Sequence, residues 1–172
     1  MPENFLPNGN LMLGIHIYNI QDFEQQFVTD FNASVTRAAI YYNFKQWLKQ
    51  LLHVLPPQYI WLDGSYLTQK VDPNDIDFVA FYYPEDIQNE LQADVLKHLI
   101  NVVSRSLDCD AYLAISFEHY TEQQLASIPN TSKTMQTYWM GQFGFDRFRQ
   151  PKGIIQLNQQ ELISINEGGV TP

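Results

Sequence analysis

Cysteine is almost missing from this 172-residue chain. With Cys109 alone, no internal disulfide can form, and a lone thiol suits a reducing cytoplasm, where it serves as a small buried hydrophobe. Also missing is any apolar run near the roughly 18 residues that a membrane-spanning helix needs. The opening Met1-Pro2-Glu3-Asn4-Phe5 has neither the basic nor the apolar segment of a secretory signal, so a cytoplasmic protein without a membrane partner is expected. Positive charge is scarce too: ten Lys and Arg stand against nineteen Asp and Glu, a net charge of −9. A polyanion is repelled at long range by such a chain, which argues against general nucleic-acid binding. Four of the ten basic residues, Lys133, Arg147, Arg149 and Lys152, nevertheless fall within 20 positions. No repeat, linker or low-complexity tract divides the sequence, so a single domain over 1–172 is expected, large enough for a real core.

What is present reads as alternating helices and strands. Residues 1–19, with the turn signal Leu6-Pro7-Asn8-Gly9-Asn10, predict an extended N-terminal arm. Ile20, Phe23, Phe27 and Phe31 have the spacing of a short amphipathic helix. From Ser34 to about Leu55 the stripe Ile40, Phe44, Trp47, Leu48, Leu51 and Leu55 predicts a longer one. Arg37, Lys45 and Lys49 are placed mostly off that stripe, Asn32 or Ser34 is the expected cap, and Pro56-Pro57 the stop. Strands are expected at 58–63, 75–83 and 111–117, with a helix from Pro84 to about Leu107 between the last two. Short helices follow at 121–128 and through Met135 to Gln142, then a hairpin over 143–157 and a frayed tail over 166–172. The fold class is therefore α/β (α+β), a small mixed sheet flanked by helices.

The chemistry concentrates in 61–81. An apolar strand runs into Gly64-Ser65, nine residues follow, and Asp75-Ile76-Asp77 opens the next strand. Residues two apart on a strand leave the same face. Two carboxylates placed together repel unless a cation or proton lies between them, so the pair suggests a metal site. The Gly-Ser turn offers backbone N–H groups and a hydroxyl to a phosphate. Asp110 begins a later strand, with Asp108 and Glu118 as alternatives beside it. Taken singly, Asp-x-Asp is most often a solvated strand end and also occurs in metal-dependent glycosyltransferases, while Gly-Ser is an ordinary turn. Asp63 reads as closing the turn, outside the site, and His53 as complementing its helix dipole.

In combination and order, these residues resemble the signature of the polymerase β-like superfamily, especially the minimal nucleotidyltransferases. That signature is Gly-Ser, then Asp-x-Asp on the next strand, then a third acid on a following one. Leu6-Pro7-Asn8-Gly9, the helix carrying Arg37, Trp61-Leu62-Asp63-Gly64-Ser65, Pro73-Asn74-Asp75-Ile76-Asp77, Phe143-Gly144-Phe145-Asp146-Arg147 and Pro151-Lys152-Gly153-Ile154 are also similar to a group of bacterial nucleotidyltransferase-like proteins. The resemblance implies a nucleotidyltransferase-like fold. It also implies transfer of a nucleoside monophosphate from a triphosphate such as ATP to a protein or small-molecule hydroxyl. Asp75, Asp77 and Asp110 would hold two Mg²⁺ ions and form the catalytic set. Gly64 and Ser65 would meet the nucleotide, with Lys70, Arg147 and Lys152 supplying positive charge. The Arg that many relatives carry just after Gly-Ser is absent, leaving only Lys70. Small size and acidic balance weigh against polymerase or transfer-RNA roles. The resemblance implies a setting in a toxin–antitoxin or phage-defence module, with a partner protein encoded nearby. A catalytically inactive interaction or nucleotide-sensing module is the alternative.

Overall fold

A computed structural model describes residues 4–167. Five strands form one mixed sheet in the order β1-β5-β2-β3-β4. They are β1 (Gly14–Ile17), β2 (Tyr59–Asp63), β3 (Ile76–Tyr82), β4 (Cys109–Ile115) and β5 (Gly153–Asn158). The pairs β1/β5 and β3/β4 are parallel, while β2 runs antiparallel to both of its neighbours. The three central strands read as continuous apolar runs because both faces of the sheet are covered.

One face carries the larger core. Helix α2 (Arg37–Val54) packs Phe44, Trp47, Leu48 and Leu51 against Ile60, Leu62, Phe78 and Ala80 of the sheet. The short α1 (Ile20–Glu24) and its π-helical continuation Gln25–Thr29 add Phe23 and Phe27 to this layer. Ser34 Oγ accepts the N–H of Arg37 at 3.1 Å, the expected cap at the start of α2. On the opposite face, Tyr59, Trp61, Val79 and Phe81 meet Trp139 and Phe143 of a later helix, Met135–Phe143. Strand alternation thus sends odd-numbered residues of β2 and β3 to this second face, and Asp63 and Asp77 with them.

Several expected elements differ. The helix predicted over 84–107 is a 3-10 turn at Pro84–Asp86, then α3 (Glu90–His98), a π-helical stretch Leu99–Val103 and a 3-10 turn Ser104–Leu107. Asp86 hydrogen-bonds the N–H of Tyr83, so this local box closes a turn of its own. The two short helices expected at 121–128 and through Met135 to Gln142 are present as α4 (Glu122–Ala126) and α6 (Met135–Phe143), with a further one-turn helix, α5 (Asn130–Lys133), between them.

The hairpin predicted over 143–157 does not form. A single bridge, Phe145 with Pro151, closes a loop, and β5 instead inserts between β1 and β2. The N-terminal arm is present, and its end pairs as β1. After β5 the chain forms α7 (Gln159–Glu167), which the sequence reading did not foresee. The frayed tail expected from 166 lies, beyond Glu167, outside the described residues. Among the described residues, no helix is long and apolar enough to cross a membrane.

Candidate functional site

The strand registers bring the acidic residues together. Asp63 on β2 stands opposite Asp77 on β3, and Asp77 stands opposite Asp110 on β4, so the three form one row across adjacent strands. All three lie on the α6 side of the sheet, one layer beyond Trp61, Val79 and Tyr112. Asp75 was expected on the strand beside Asp77; β3 in fact begins at Ile76, and Asp75 is exposed in the preceding turn. It still contributes to the same field, as Asp77 shows.

Burial and the neighbouring carboxylates of Asp75, Asp63 and Asp110 together push the Asp77 carboxyl up to about 7, with Lys152 acting in the opposite direction. Asp63 is raised to about 6 by burial, against the pull of Lys152. Lys152 Nζ lies 2.9 Å from Asp63 Oδ2 in a hydrogen bond. It lies 2.8 Å from Oδ1, a charge contact without hydrogen-bonding geometry, which is why Oδ1 has no hydrogen-bond partner. Both side chains are nearly buried, at 9% and 7% exposure. Asp63, read from sequence as a turn-closing residue, is therefore the anchor of the site's innermost cation. At the other end of the row, Tyr112 donates its hydroxyl proton to Asp110 Oδ2 at 2.8 Å.

Gly64 is required by close approach. Its φ is +83°, and a Cβ there would fall 1.7 Å from Asp77 Oδ2. The backbone at Gly64-Ser65 consequently lies directly against the Asp77 carboxylate, so a group bound at the turn shares its space with that side chain.

The stretch after the turn is held from below by Arg37. This guanidinium is fully buried and donates to five main-chain carbonyls: Nε to Val71, Nη1 to Phe27 and Tyr66, Nη2 to Thr68 and Lys70, at 2.7 to 3.2 Å. All five donors of the fork are used. The rings of Phe31 and Tyr66 lie 3.7 and 4.9 Å from its Cζ. Burial brings its pKa down to about 10, so it stays charged at neutral pH. Arg37, expected mostly off the apolar stripe of its helix, is instead on the buried side. The usable signal was its spacing: it precedes Ile40, Tyr41 and Phe44 by three, four and seven residues, on the buried stripe.

Two further loops complete the walls. The turn Leu6–Asn10 docks through the N–H of Gln69 on the carbonyl of Gly9, 2.8 Å. Buried Asn10 donates Nδ2–H to Asp146 Oδ2 at 3.0 Å, joining that turn to the loop over 144–152. The result is an open cavity of about 570 Å³ that brings together every residue singled out from sequence: Gly64, Ser65, Lys70, Asp75, Asp77, Asp110, Arg147 and Lys152. Lys70 and Arg147 are exposed at its rim, whereas Lys152 is already engaged by Asp63.

The donor set facing this space is carboxylate oxygen, and no His or Cys lines it among the described residues. Such a set fits a hard divalent cation, and the repulsion that raises Asp77 is what a cation relieves. Among the described residues no three His, Cys, Asp or Glu side chains stand as a ready-made ligand group; Asp110 and Asp63 are hydrogen-bonded by Tyr112 and Lys152. Residues 3–158 match a family model described as a family of unknown function (DUF6932). No curated protein and no solved structure matches the chain.

Proposed function

We propose that this chain, which belongs to that family of unknown function, is a Mg²⁺-dependent nucleotidyltransferase. One observation carries the reading: a row of aspartates crosses three strands and faces a glycine-serine turn packed directly against its central member. A glycine-serine turn and its hydroxyl next to carboxylates suit a ligand that is itself anionic and brings cations. A triphosphate with Mg²⁺ is such a ligand. Bound divalent cations supply charge neutralisation at the phosphoryl oxygens and lower the pKa of a coordinated hydroxyl.

In this reading Asp75 and Asp77 hold the metals, and Asp110 takes the third position. Asp110 Oδ2 is occupied by the Tyr112 hydroxyl, so Oδ1 is the oxygen available to accept the proton of an acceptor hydroxyl. The acceptor oxygen bonds to the α-phosphorus, the bond from that phosphorus to the bridging oxygen breaks, and pyrophosphate leaves. Gly64 admits the triphosphate to close range, Ser65 hydrogen-bonds it, and Lys70 and Arg147 balance charge at the rim. Lys152, fixed by Asp63, offsets the negative field behind Asp77. We assign the acceptor to a hydroxyl of a protein or small molecule and the protein to the cytoplasm, where its single buried thiol stays reduced. A partner protein encoded nearby, in a toxin–antitoxin or phage-defence setting, is part of the same proposal.

Incubation with α-labelled ATP, GTP, CTP and UTP, Mg²⁺ and a cell lysate as acceptor source tests the reaction. Label transfer with pyrophosphate release is expected, falling at least about 100-fold in Asp77→Asn. Absence of transfer with folded wild-type protein and every nucleotide overturns the reading. A non-catalytic nucleotide-sensing module is favoured by one feature, the prior engagement of Asp110 and of Lys152 by neighbours. Mg²⁺-dependent nucleotide binding without turnover, measured by calorimetry, would identify it.

A further inference from the structure

The loop at the mouth of the cavity keeps a large apolar ring in water. Phe148 is 85% exposed, yet it lines the same cavity as the aspartates, as does Phe145. It forgoes the burial that normally makes phenylalanine a core residue. Its chain neighbours Arg147, Arg149 and Gln150 are exposed too, and Arg147 lines the same cavity.

The loop is also built to hold that ring outward. Asp146 Oδ1 accepts the N–H groups of Phe148 and Gln150 at 2.8 and 2.9 Å, and its Oδ2 is bonded by buried Asn10 at 3.0 Å. The main chain closes twice more, Asp146 N–H to Gln150 and Lys152 N–H to Gly144. These bonds fix the backbone that carries Phe148 at the mouth of the cavity.

We propose that Phe148, with Arg147 beside it, is a stacking platform for the planar base of a nucleotide whose phosphates reach toward Gly64-Ser65. This rests on the nucleotidyl-transfer reading and adds the part of the substrate that the aspartates leave unspecified. An exposed ring and an exposed guanidinium lining one cavity match a ligand that joins a π-system to a polyanion. Every base offers a π-face, so stacking supplies affinity with little selectivity, and the larger purines are held more tightly than pyrimidines.

Titration calorimetry with Mg²⁺ and two probes, the non-hydrolysable α,β-methylene analogue of ATP and inorganic tripolyphosphate, separates the base from the phosphates. Phe148→Ala is expected to raise the Kd of the analogue by about 5- to 100-fold while leaving tripolyphosphate within about twofold. Phe148→Trp is expected to retain binding, with quenching of its indole fluorescence by the analogue. Because the side chain is exposed, both variants should fold as wild type. Unchanged affinity for the analogue in Phe148→Ala, or equal loss for both probes, overturns the platform and leaves the transferase reading standing. Failure of wild-type protein to bind either probe overturns both.

Discussion

Replacing Arg37 by Met tests whether a buried cation, not the apolar core alone, holds the Gly-Ser loop in place. Met keeps the aliphatic volume and removes all five donors. The carbonyls of Phe27 and Tyr66, reached by the fully buried Nη1, would lose their partner without access to water. Each unsatisfied buried carbonyl costs about 1–3 kcal/mol, so these two alone set a loss of about 2–6 kcal/mol. The carbonyls of Thr68, Lys70 and Val71 lie nearer the surface and rehydrate as the loop opens, each forfeiting a fraction of that. No longer burying a guanidinium offsets part of the total, and the net destabilisation is expected near about 3–5 kcal/mol. For a chain of this length that is a fall in Tm of about 6–20 °C by circular dichroism or calorimetry. Arg37→Lys offers at most three donors and should fall between. Hydrogen exchange provides the local readout: the amides of Leu67, Thr68 and Gln69, bonded within this loop or to the N-terminal turn, should lose protection before the sheet does. An Arg37→Met protein melting within about 2 °C of wild type would refute the reasoning.

Four more outcomes follow, three from the geometry of the row and one from a control glycine outside it. Gly64→Ala combines a positive φ with a 1.7 Å approach to Asp77 Oδ2, and should cost about 1–3 kcal/mol in urea unfolding and abolish Mg²⁺-dependent nucleotide binding. Gly14→Ala, also at positive φ but with nothing within 4 Å, should strain the backbone and leave binding intact. Lys152→Met strands a buried Asp63 carboxylate and should destabilise by about 3–5 kcal/mol, most of it recovered when Asp63→Leu is added. The raised carboxyls of Asp77 and Asp63, about 7 and 6 against 3.8, mean that the folded protein binds protons more tightly than the unfolded chain. Without divalent cation, their contribution to stability is therefore greatest below about pH 4 and is lost as pH rises through 6 and 7. Urea titrations at pH 5 and 8 measure this, and Mg²⁺ should restore stability at pH 8. Rising stability between those pH values without Mg²⁺ would contradict the assignment.

The residues of the site were readable in sequence because their signals are local. Gly64-Ser65 and Asp75-Ile76-Asp77 sit at strand ends marked by apolar runs, although β3 begins at Ile76 and leaves Asp75 off the strand that was to align it with Asp77. The central strands and α2 were legible for the same reason. What sequence did not show depends on partners distant along the chain. Asp63 looks like any residue before a turn until Lys152, on the far side of the domain in sequence, is placed 2.8 Å away. Arg37 carries a charge that normally marks a solvent face, and only the carbonyls of another segment make its burial tolerable. The hairpin expected over 143–157 followed from alternation and a Pro-Lys-Gly turn. Gly153 is instead held by the N-terminal segment, through its N–H to the carbonyl of Leu11. The long helix expected from Pro84 has continuous apolar spacing, but the π-helical stretch Leu99–Val103 shifts its face part-way along.

The strand order also constrains the sequence of events by which the molecule is made. In β1-β5-β2-β3-β4, the fifth strand along the chain separates the first strand from all the others. Strands β2, β3 and β4 are near neighbours in sequence and can pair early, whereas β1 has no seat until β5 has been synthesised and inserted. Strand β1 therefore waits for its partner through most of the chain's length, although the turn before it docks on Gln69. Lys152 adjoins β5, so the cation that counters the acidic row arrives with the same late step. A chain that ends before β5 presents the aspartates without Lys152, so the completed sheet and the built-in counter-charge arrive together.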